Sequence, residues 1–442
     1  MTPTLVRPHA DDFALALDAA RPERVGRVTR VVGLTIEIAG LDCVSGDLVT
    51  IGDANPIDAE VVATSTTGVH VMPLARTDGI GTGTPARSKG TRALVPTGVG
   101  LLGRVVDGLG RPIDGKGPLA SDGGVPLANE SPSAMQRARI TDALQTGVRV
   151  LDTLTTVGRG QRLGLFAGSG VGKSSLLSMI ARGTDAEVSV IALVGERGRE
   201  VREFLEDDLG PAGLARSIVV VSTSDEPALM RLRAAFLATR IAESFRDEGK
   251  DVVLMMDSLT RVAMAQREIG LSVGEPPATR GYPPSTFSIL AQLLERAGTA
   301  DRGSVTGLYT VLVDGDDHNE PIADAARSIL DGHVVLDRKL AIVGHFPSVD
   351  ALASVSRVAS KVNSAEHEGL AMQLRTVMAA RARAQDLIDV GAYQSGTNPL
   401  VDAAVTYEDE INAFLRQRMD DHTESEHAWS QLARLDRLLG GA

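Results

Sequence analysis

Cysteine and aromatic residues are scarce in this sequence. The 442 residues contain a single cysteine, Cys43, and only 3% of them are Phe, Trp or Tyr. One cysteine excludes an internal disulfide, and such low cysteine usage favours a reducing compartment. We therefore interpret Cys43 as a small buried hydrophobic residue.

Long apolar runs and an excess of positive charge are also missing. No run of about 18 or more apolar residues occurs, and charged residues such as Arg7, Asp11 and Asp12 make the N-terminus unlike a cleavable signal. The net charge of −12 and the pI near 5.2 argue against a surface-wide attraction to nucleic acid or anionic lipid. We therefore expect a cytoplasmic protein.

The chain is long enough for about three domains. Its residue pattern changes along its length. From about Arg24 to Leu94, short β-branched runs alternate with glycine and aspartate turns, which is typical of a small barrel or sandwich. Gly115–Ser133 is rich in Gly, Pro and Ser and predicts a connection. Residues 140–350 alternate β-branched and helical runs, which predicts a doubly wound α/β domain with a parallel sheet. Beyond about Val362 an apolar stripe among charges predicts helices.

The most informative stretch is residues 163–175, where an apolar run passes into a glycine-dense turn. Glycines without a Cβ let backbone N–H groups curl around a polyphosphate, and a helix that begins near Lys173 aims its positive dipole end at the same anion. Lys173 is predicted to reach the β- and γ-phosphates, and the Ser174 hydroxyl to hold Mg²⁺. The strict motif has glycine where this chain has Ala167. The predicted loop comprises Gly168, Ser169, Gly170, Val171, Gly172, Lys173, Ser174 and Ser175.

Two acidic residues follow other predicted strands. Asp257 comes directly after the apolar run Val252–Met256, which is the arrangement of a Walker B carboxylate that orients Mg²⁺. The next residue is a serine, so the base that activates water must come from elsewhere. Glu196 follows the predicted strand Val188–Val194 at the same edge of the sheet, and it is our candidate for polarising the attacking water. A solvated turn is the alternative interpretation of Glu196 and its neighbour Arg197.

Several sequence blocks, in order along the chain, resemble the flagellar and type III secretion export ATPases, which are relatives of the catalytic subunit of rotary ATP synthases. The resemblance runs from about Gly98 to Phe414, and so many independent blocks in order make chance negligible. The loop 168–172 is more similar to the flagellar members than to the virulence members. The blocks are Leu102–Asp114, Phe166–Ser174, Val194–Val201, Met256–Arg261, Gly274–Ser285 and Ser354–Arg357.

The resemblance implies a fold and an activity. The expected fold is a RecA-like doubly wound parallel-sheet core with an N-terminal small β-barrel and a C-terminal helical domain. The expected activity is Mg²⁺-dependent ATP hydrolysis by a homo-hexameric ring that energises the unfolding and export of flagellar proteins through a type III secretion apparatus. The implied division is a partner-binding segment at 1–20, the barrel at 21–95, the ATPase domain at 96–355 and the helical domain at 356–442.

The resemblance also implies roles for single residues. Glu196 matches the catalytic glutamate of the family, in agreement with its position after a strand, and Arg197 belongs to the same catalytic block. Phe346 matches an aromatic residue that stacks on adenine, and Phe414 is a second wall for the base. Arg357 lies in a segment that resembles an arginine-finger stretch, and we expect it to contact the γ-phosphate held by a neighbouring subunit. Without the resemblance, Phe346 and Phe414 would be interpreted as core residues and Arg357 as a surface arginine.

The same resemblance implies partners. We expect a regulatory stator-like protein at the N-terminal segment, together with an export gate, export substrates and chaperones, and peripheral association with the inner membrane at the base of the export apparatus. A virulence type III secretion ATPase and a ring-shaped nucleic-acid motor are the alternatives. Residues 24–94 contain no aromatic residue that could stack on bases, so we expect no nucleic-acid binding.

Overall fold

The computed structural model describes residues 24–92, 94–313 and 320–440. Its contacts divide the chain into two compact units, with the division between Ala93 and Leu94. The predicted partner-binding segment, residues 1–20, lies outside the described residues. None of the described helices is both long enough and apolar enough to cross a membrane.

The first unit is a closed barrel that six antiparallel strands form within residues 24–92. The strands are β1 (Val25–Val32), β2 (Thr35–Ala39), β3 (Asp47–Ile51), β4 (Ile57–Ser65), β5 (Gly68–Pro73) and β6 (Pro85–Arg92). Their order is β1-β2-β5-β4-β3-β6, and β6 pairs with β1 to close the barrel. Alternate residues such as Ile36 and Ile38 fill the interior, and Cys43 is buried with them, as predicted. The sequence left a barrel or a sandwich open, and the structure shows a barrel.

The second unit is built on a mostly parallel sheet. Nine strands of residues 94–313 and 320–440 form it: β8 (Val105–Asp107), β10 (Arg162–Ala167), β11 (Val188–Glu196), β12 (Ser217–Thr223), β13 (Asp251–Asp257), β14 (Gly298–Thr299), β15 (Ser304–Leu312), β16 (Gly332–Leu336) and β17 (Val349–Ser356). The order is β17-β16-β10-β15-β13-β11-β12-β8, with β14 paired to β15 outside this path. Only β14 and β17 run antiparallel to their partners within the described sheet. A separate ribbon pairs β7 (Leu94–Thr97) with β9 (Gly123–Pro126).

Helices cover both faces of the sheet, as a doubly wound fold requires. Successive strand residues alternate between two apolar layers: Leu165 and Met255 lie in one, and Phe166 and Met256 lie in the other. A π-helical segment, Phe204–Leu209, lies between the helices Gly198–Glu203 and Gly210–Ala215, and Val99–Leu101 and Thr279–Gly281 are short 3₁₀ turns. The helices of the sheet region are α1 (Arg149–Leu154), α2 (Lys173–Gly183), α3 (Gly198–Glu203), α4 (Gly210–Ala215), α5 (Ala228–Asp247), α6 (Leu259–Ser272), α7 (Pro284–Glu295), α8 (Pro321–Ile329) and α9 (Arg338–Ile342).

The C-terminal part of the second unit is helical. Its helices are α10 (Ala359–Val362), α11 (Ala365–Asp389), α12 (Pro399–Thr406), α13 (Glu408–Leu415) and α14 (Ser425–Leu438). Helix α11 packs against α12 and α14, and Trp429 of α14 stacks on His367 of α11 with 4.0 Å between the ring centroids. Buried residues of α11, α13 and α14 share one apolar layer with α1 and α2. The C-terminal helices therefore pack on the same apolar layer as α2, the helix that follows the glycine-rich loop.

Candidate active site

The glycine-rich loop lies between β10 and α2. β10 ends at Ala167, residues 168–172 form the turn, and α2 begins at Lys173. Gly172 precedes the helix in a left-handed conformation with φ of 89°, and a Cβ there would lie 3.3 Å from the Phe346 ring. Glycine is therefore needed at this position both for the backbone angle and for the approach of the aromatic ring. The structure has the strand, loop and helix that the sequence predicted.

Lys173 meets the two predicted carboxylates at the ends of the neighbouring strands. Its Nζ atom donates to Oδ1 of Asp257 at 2.5 Å and lies 3.6 Å from Oε1 of Glu196. Asp257 ends β13 and Glu196 ends β11, and these strands are adjacent in the sheet. Parallel strands end at one edge of the sheet, which is why residues so distant in sequence converge here.

The site raises the pKa values of Glu196 and Lys173. Burial raises the pKa of Glu196 to about 7, against the lowering effect of the Lys173 charge and with a further raising effect of Asp257. Burial alone would lower the pKa of Lys173, but the charges of Asp257 and Glu196 outweigh burial and raise it. Lys173 is therefore held as a cation, whereas Glu196 is poised to exchange a proton near neutral pH.

A small cavity of about 220 Å³ lies beside these groups. Ser174, Glu196 and Asp257 line it, together with Glu200, Glu203 and Asp208. A serine hydroxyl and one carboxylate suit Mg²⁺, which prefers oxygen ligands and usually completes its shell with water and substrate phosphates. Among the described residues, no group of three or more His, Cys, Asp or Glu side chains forms a metal cage. Ser174 and Asp257 therefore fit the predicted metal position.

Two residues of this site were not predicted from the sequence. Thr310, on β15, donates its hydroxyl to Oδ1 of Asp257 at 2.8 Å. Arg261, in the first turn of α6, brings a positive charge that partly opposes the rise in the pKa values of Glu196 and Lys173. Its Nε atom is buried and has no hydrogen-bond partner in the described part of the chain. Arg261 could have been identified from the sequence, because it belongs to the block Met256–Arg261 that resembles the export ATPases. No sequence pattern distinguishes Thr310 from the other threonines of the chain.

A second and larger cavity, of about 940 Å³, lies on the other side of the loop. Gly172 and Ser175 line it on the loop side, and Phe346, which is 45% exposed and lies close to Gly172, lines it as well. Residues 416–421 form a further wall. The cavity has the size and the aromatic residue that a nucleoside requires.

The structure does not bring Phe414 to this cavity. Its side chain is only 6% exposed and belongs to the apolar layer beneath the C-terminal helices. The reason is the spacing along α13, where Ile411, Phe414 and Leu415 share one buried face. Residues 416–421, which follow α13, line the cavity, and Phe414 does not.

Arg197 and Arg357 both lie at the surface of the single chain. Arg197 precedes α3, its side chain is 76% exposed, and its Nη1 atom donates to Glu200 at 3.0 Å. Arg357 follows the last residue of β17, is exposed, and donates to the carbonyl oxygen of Arg327 at 3.3 Å. Neither residue is among those that line the two cavities.

The strand, loop and helix, with carboxylates from adjacent strands, define a P-loop nucleotide-binding protein of the α/β class. Residues 147–356 match the family model of the ATP synthase alpha/beta family, nucleotide-binding domain, and residues 363–434 match that of the T3SS EscN ATPase C-terminal domain.

The chain belongs to the family of flagellum-specific ATP synthases and type 3 secretion system ATPases. It is 50% identical over 419 residues to the flagellum-specific ATP synthase of Bacillus subtilis, with 93% of this chain and 95% of the relative covered. It is 46% identical to a type 3 secretion system ATPase of Xanthomonas euvesicatoria, with 90% of each covered. The assembled ATPase EscN in complex with its central stalk EscO, from enteropathogenic E. coli, superimposes with a TM-score of 0.87 at 41% identity and covers 93% of this chain and 99% of its own. The predicted family, fold class and ATPase activity are thereby confirmed.

Proposed function

We propose that this chain hydrolyses ATP with Mg²⁺ in a homo-hexameric ring and so energises the unfolding and export of flagellar proteins through a type III secretion apparatus. The observation that carries the proposal is the convergence of Lys173, Asp257 and Glu196 beside the glycine-rich loop. One cation for phosphate, one carboxylate for a metal and one carboxylate with a pKa near 7 are the groups that ATP hydrolysis needs.

The roles follow from the positions of the side chains. The N–H groups of residues 168–175 cradle the phosphates, and Lys173 exchanges its bond with Asp257 for contact with the β- and γ-phosphates. Ser174 and Asp257 hold Mg²⁺, which supplies charge neutralisation at the phosphates when it is bound. Glu196 accepts a hydrogen bond from the attacking water and takes its proton. Phe346 stacks on the base.

Arg357 completes the proposed site from a neighbouring subunit. Its guanidinium is exposed in the single chain and lines neither cavity, as expected for a group that acts across an interface. A guanidinium can contact two phosphoryl oxygens at once and stabilises the charge that spreads over them in the transition state. For Arg197, the exposed ion pair with Glu200 favours a role at the subunit surface.

The proposal extends to partners. The solved relative EscN is described as assembled and in complex with a central stalk, which supports a ring with a stalk-like partner for this chain. We further propose a regulatory stator-like protein at residues 1–20, contacts with an export gate, substrates and chaperones, a cytoplasmic location with peripheral membrane association, and the functional division 21–95, 96–355 and 356–442.

The test is phosphate release by the purified chain, measured with and without Mg²⁺ over a range of protein concentrations. Because Arg357 acts in trans in this proposal, the activity per chain should rise as the ring assembles, and mass photometry should show hexamers at the same concentrations. Absence of Mg²⁺-dependent phosphate release at every concentration rejects the proposal. A role in virulence secretion is the second candidate, since a type 3 secretion system ATPase is 46% identical. Complementation of flagellar or virulence ATPase deletions separates the two roles.

A further inference from the structure

The wall segment, which we define as residues 416–421, closes one side of the 940 Å³ cavity. It follows α13 and precedes α14, and it contains neither helix nor strand. A segment without regular backbone hydrogen bonds loses much conformational entropy when it is fixed, so other groups must hold it in place. Those groups determine the shape of the cavity.

Arg149, on α1, holds both ends of the wall segment. Its buried guanidinium donates from Nε to the carbonyl of Phe414 at 3.1 Å and from Nη2 to the carbonyl of Arg416. Its Nη1 atom donates to Oδ2 of Asp421 at 3.0 Å and to the hydroxyl of Thr423 at 3.1 Å. A planar guanidinium presents these donors in a fixed geometry, so one side chain sets the distance between the two ends.

Gln417 holds the wall segment from its interior. Its buried Oε1 atom accepts from the backbone N–H of Arg149 at 2.9 Å, and its Nε2 atom donates to the carbonyls of Gly147 at 2.7 Å and Asp421 at 2.8 Å. Its backbone N–H donates to the carbonyl of Phe346 at 2.9 Å. Gln417 therefore ties the wall segment both to α1 and to the residue whose ring faces the glycine-rich loop.

The side-chain hydrogen bonds of Arg149 and Gln417 go to Gly147, to the backbone of Arg149 and to residues 414–423, whereas Lys173 bonds to Asp257. We propose that Arg149 and Gln417, which also border this cavity, are positioning residues for the nucleoside part of the substrate: they set its affinity by holding the wall segment beside Phe346, without acting on the phosphates. This inference rests on the proposed function of the site.

The physical basis is the steep distance dependence of packing. A radial gap of only about 0.5–1 Å already forfeits a quarter to a half of the van der Waals attraction between two surfaces. A base that fits between Phe346 and the wall segment therefore binds more weakly when the wall segment loosens. Phosphate binding is unaffected, because the glycine-rich loop and Lys173 keep their own contacts.

The test compares ATP with inorganic tripolyphosphate, which has phosphates but no nucleoside. Calorimetric titration of the full-length protein with Mg²⁺ and each ligand gives both dissociation constants. In Gln417→Leu we expect the Kd for ATP to rise about tenfold, because the side-chain bonds to Gly147 and Asp421 are lost. The Kd for tripolyphosphate should stay within about twofold, and kcat should change much less than KM.

Gln394→Leu is the matched control, because it is the same substitution at an exposed site on the loop after α11, and it should leave both constants unchanged. Native emission of Trp429 shows that the C-terminal helices are folded. If Gln417→Leu lacks that emission, Arg149→Lys is tested in its place. Lysine keeps the positive charge near Asp421 but lacks the planar guanidinium that donates to both ends of the wall segment. Equal weakening of ATP and tripolyphosphate, or unchanged ATP affinity in a folded variant, overturns the inference. Failure of the unaltered protein to bind or hydrolyse ATP overturns the proposed function instead.

Discussion

The hydroxyl of Thr310 donates to Oδ1 of Asp257 at 2.8 Å, the same oxygen that accepts from Lys173 at 2.5 Å. Thr310 lies on β15, which pairs with β13 on one side and β10 on the other. Thr310 of β15 therefore orients the carboxylate of Asp257, the last residue of the neighbouring strand β13. Hydrogen bonds from residues that do not themselves bind the metal fix the orientation of a metal-binding carboxylate in this way.

Replacing Thr310 with valine should weaken the site for Mg²⁺. Valine keeps the shape but removes the hydroxyl, so Asp257 loses a partner that orients it. We expect the Mg²⁺ concentration for half-maximal ATPase activity to rise about tenfold, in the range usual for loss of such a partner. Thr310→Ser retains a hydroxyl and should stay near the original value. An unchanged Mg²⁺ requirement in the valine variant would show that the bond is irrelevant to the metal.

Glu196→Gln should abolish turnover but leave ATP binding nearly intact. The amide cannot accept the proton of the attacking water, whereas the phosphate cradle around Lys173 is unaltered. The expected loss in kcat is roughly 10²–10⁴-fold, with a Kd for ATP that changes little. Lys173→Ala should instead weaken binding itself. Retention of more than about a tenth of the turnover in Glu196→Gln would contradict the role of a general base. Glu366→Gln, at an exposed position in the first turn of α11, is the control.

The pH profile of the ATPase should report the pKa of Glu196. Burial raises that pKa to about 7, so the group is protonated and inactive as a base below this pH and ionised above it. We therefore expect kcat/KM to rise with pH through about 7 and then to level off. The residual activity of Glu196→Gln should lack this rise. A flat profile for the unaltered protein between about pH 5.5 and 8 argues against proton transfer to Glu196.

Arg357 should act on a neighbouring subunit. Arg357→Ala subunits with an intact Glu196 and Glu196→Gln subunits with an intact Arg357 are each expected to be inactive, since a finger arginine contributes about 10³–10⁵ to turnover. Mixed rings contain interfaces where both intact residues meet, so activity should partly return. Rings whose mixed composition is verified and which still show no recovery would refute action in trans.

Deletion of residues 1–20 should preserve basal ATPase activity because Lys173, Glu196 and Asp257 all lie in the second unit. The deletion should abolish binding of the stator-like regulator and weaken ring assembly, so the ATPase activities of the two chains are compared at concentrations where both are hexameric. Pull-down of the regulator with the truncated and full-length chains measures the first effect. Equal recovery of the regulator with both chains would place its binding site elsewhere.

The core of the site was predictable because it depends on local sequence. A glycine-rich turn between a strand and a helix, and a carboxylate after an apolar run, are visible within about ten residues. Glu196 and Asp257 could then be placed together because parallel strands end at one edge of the sheet. The strands β16 and β17 could not be assigned from their short runs, although they complete the sheet beyond β10.

The rest of the site depends on contacts between distant parts of the chain. Arg149 contacts residues 414–423 only after the C-terminal helices dock, and no local sequence pattern indicates these hydrogen bonds. Thr310 is one of several threonines in β-branched runs. Phe414 shows the converse error, since its spacing with Ile411 already indicated a buried helical face. The resemblance assigned it to the pocket, and the packing of α13 placed it in the core.

The closure of β6 onto β1 leaves the barrel without a free strand edge. Exposed edges offer unpaired main-chain groups to any similar strand, and they are a common route to aggregation. In an assembly of identical chains, many copies of one barrel are held at high local concentration. Because each strand of the barrel already pairs with a strand on both sides, neighbouring copies can meet through side chains, and such contacts can break and form again without disrupting strand pairing.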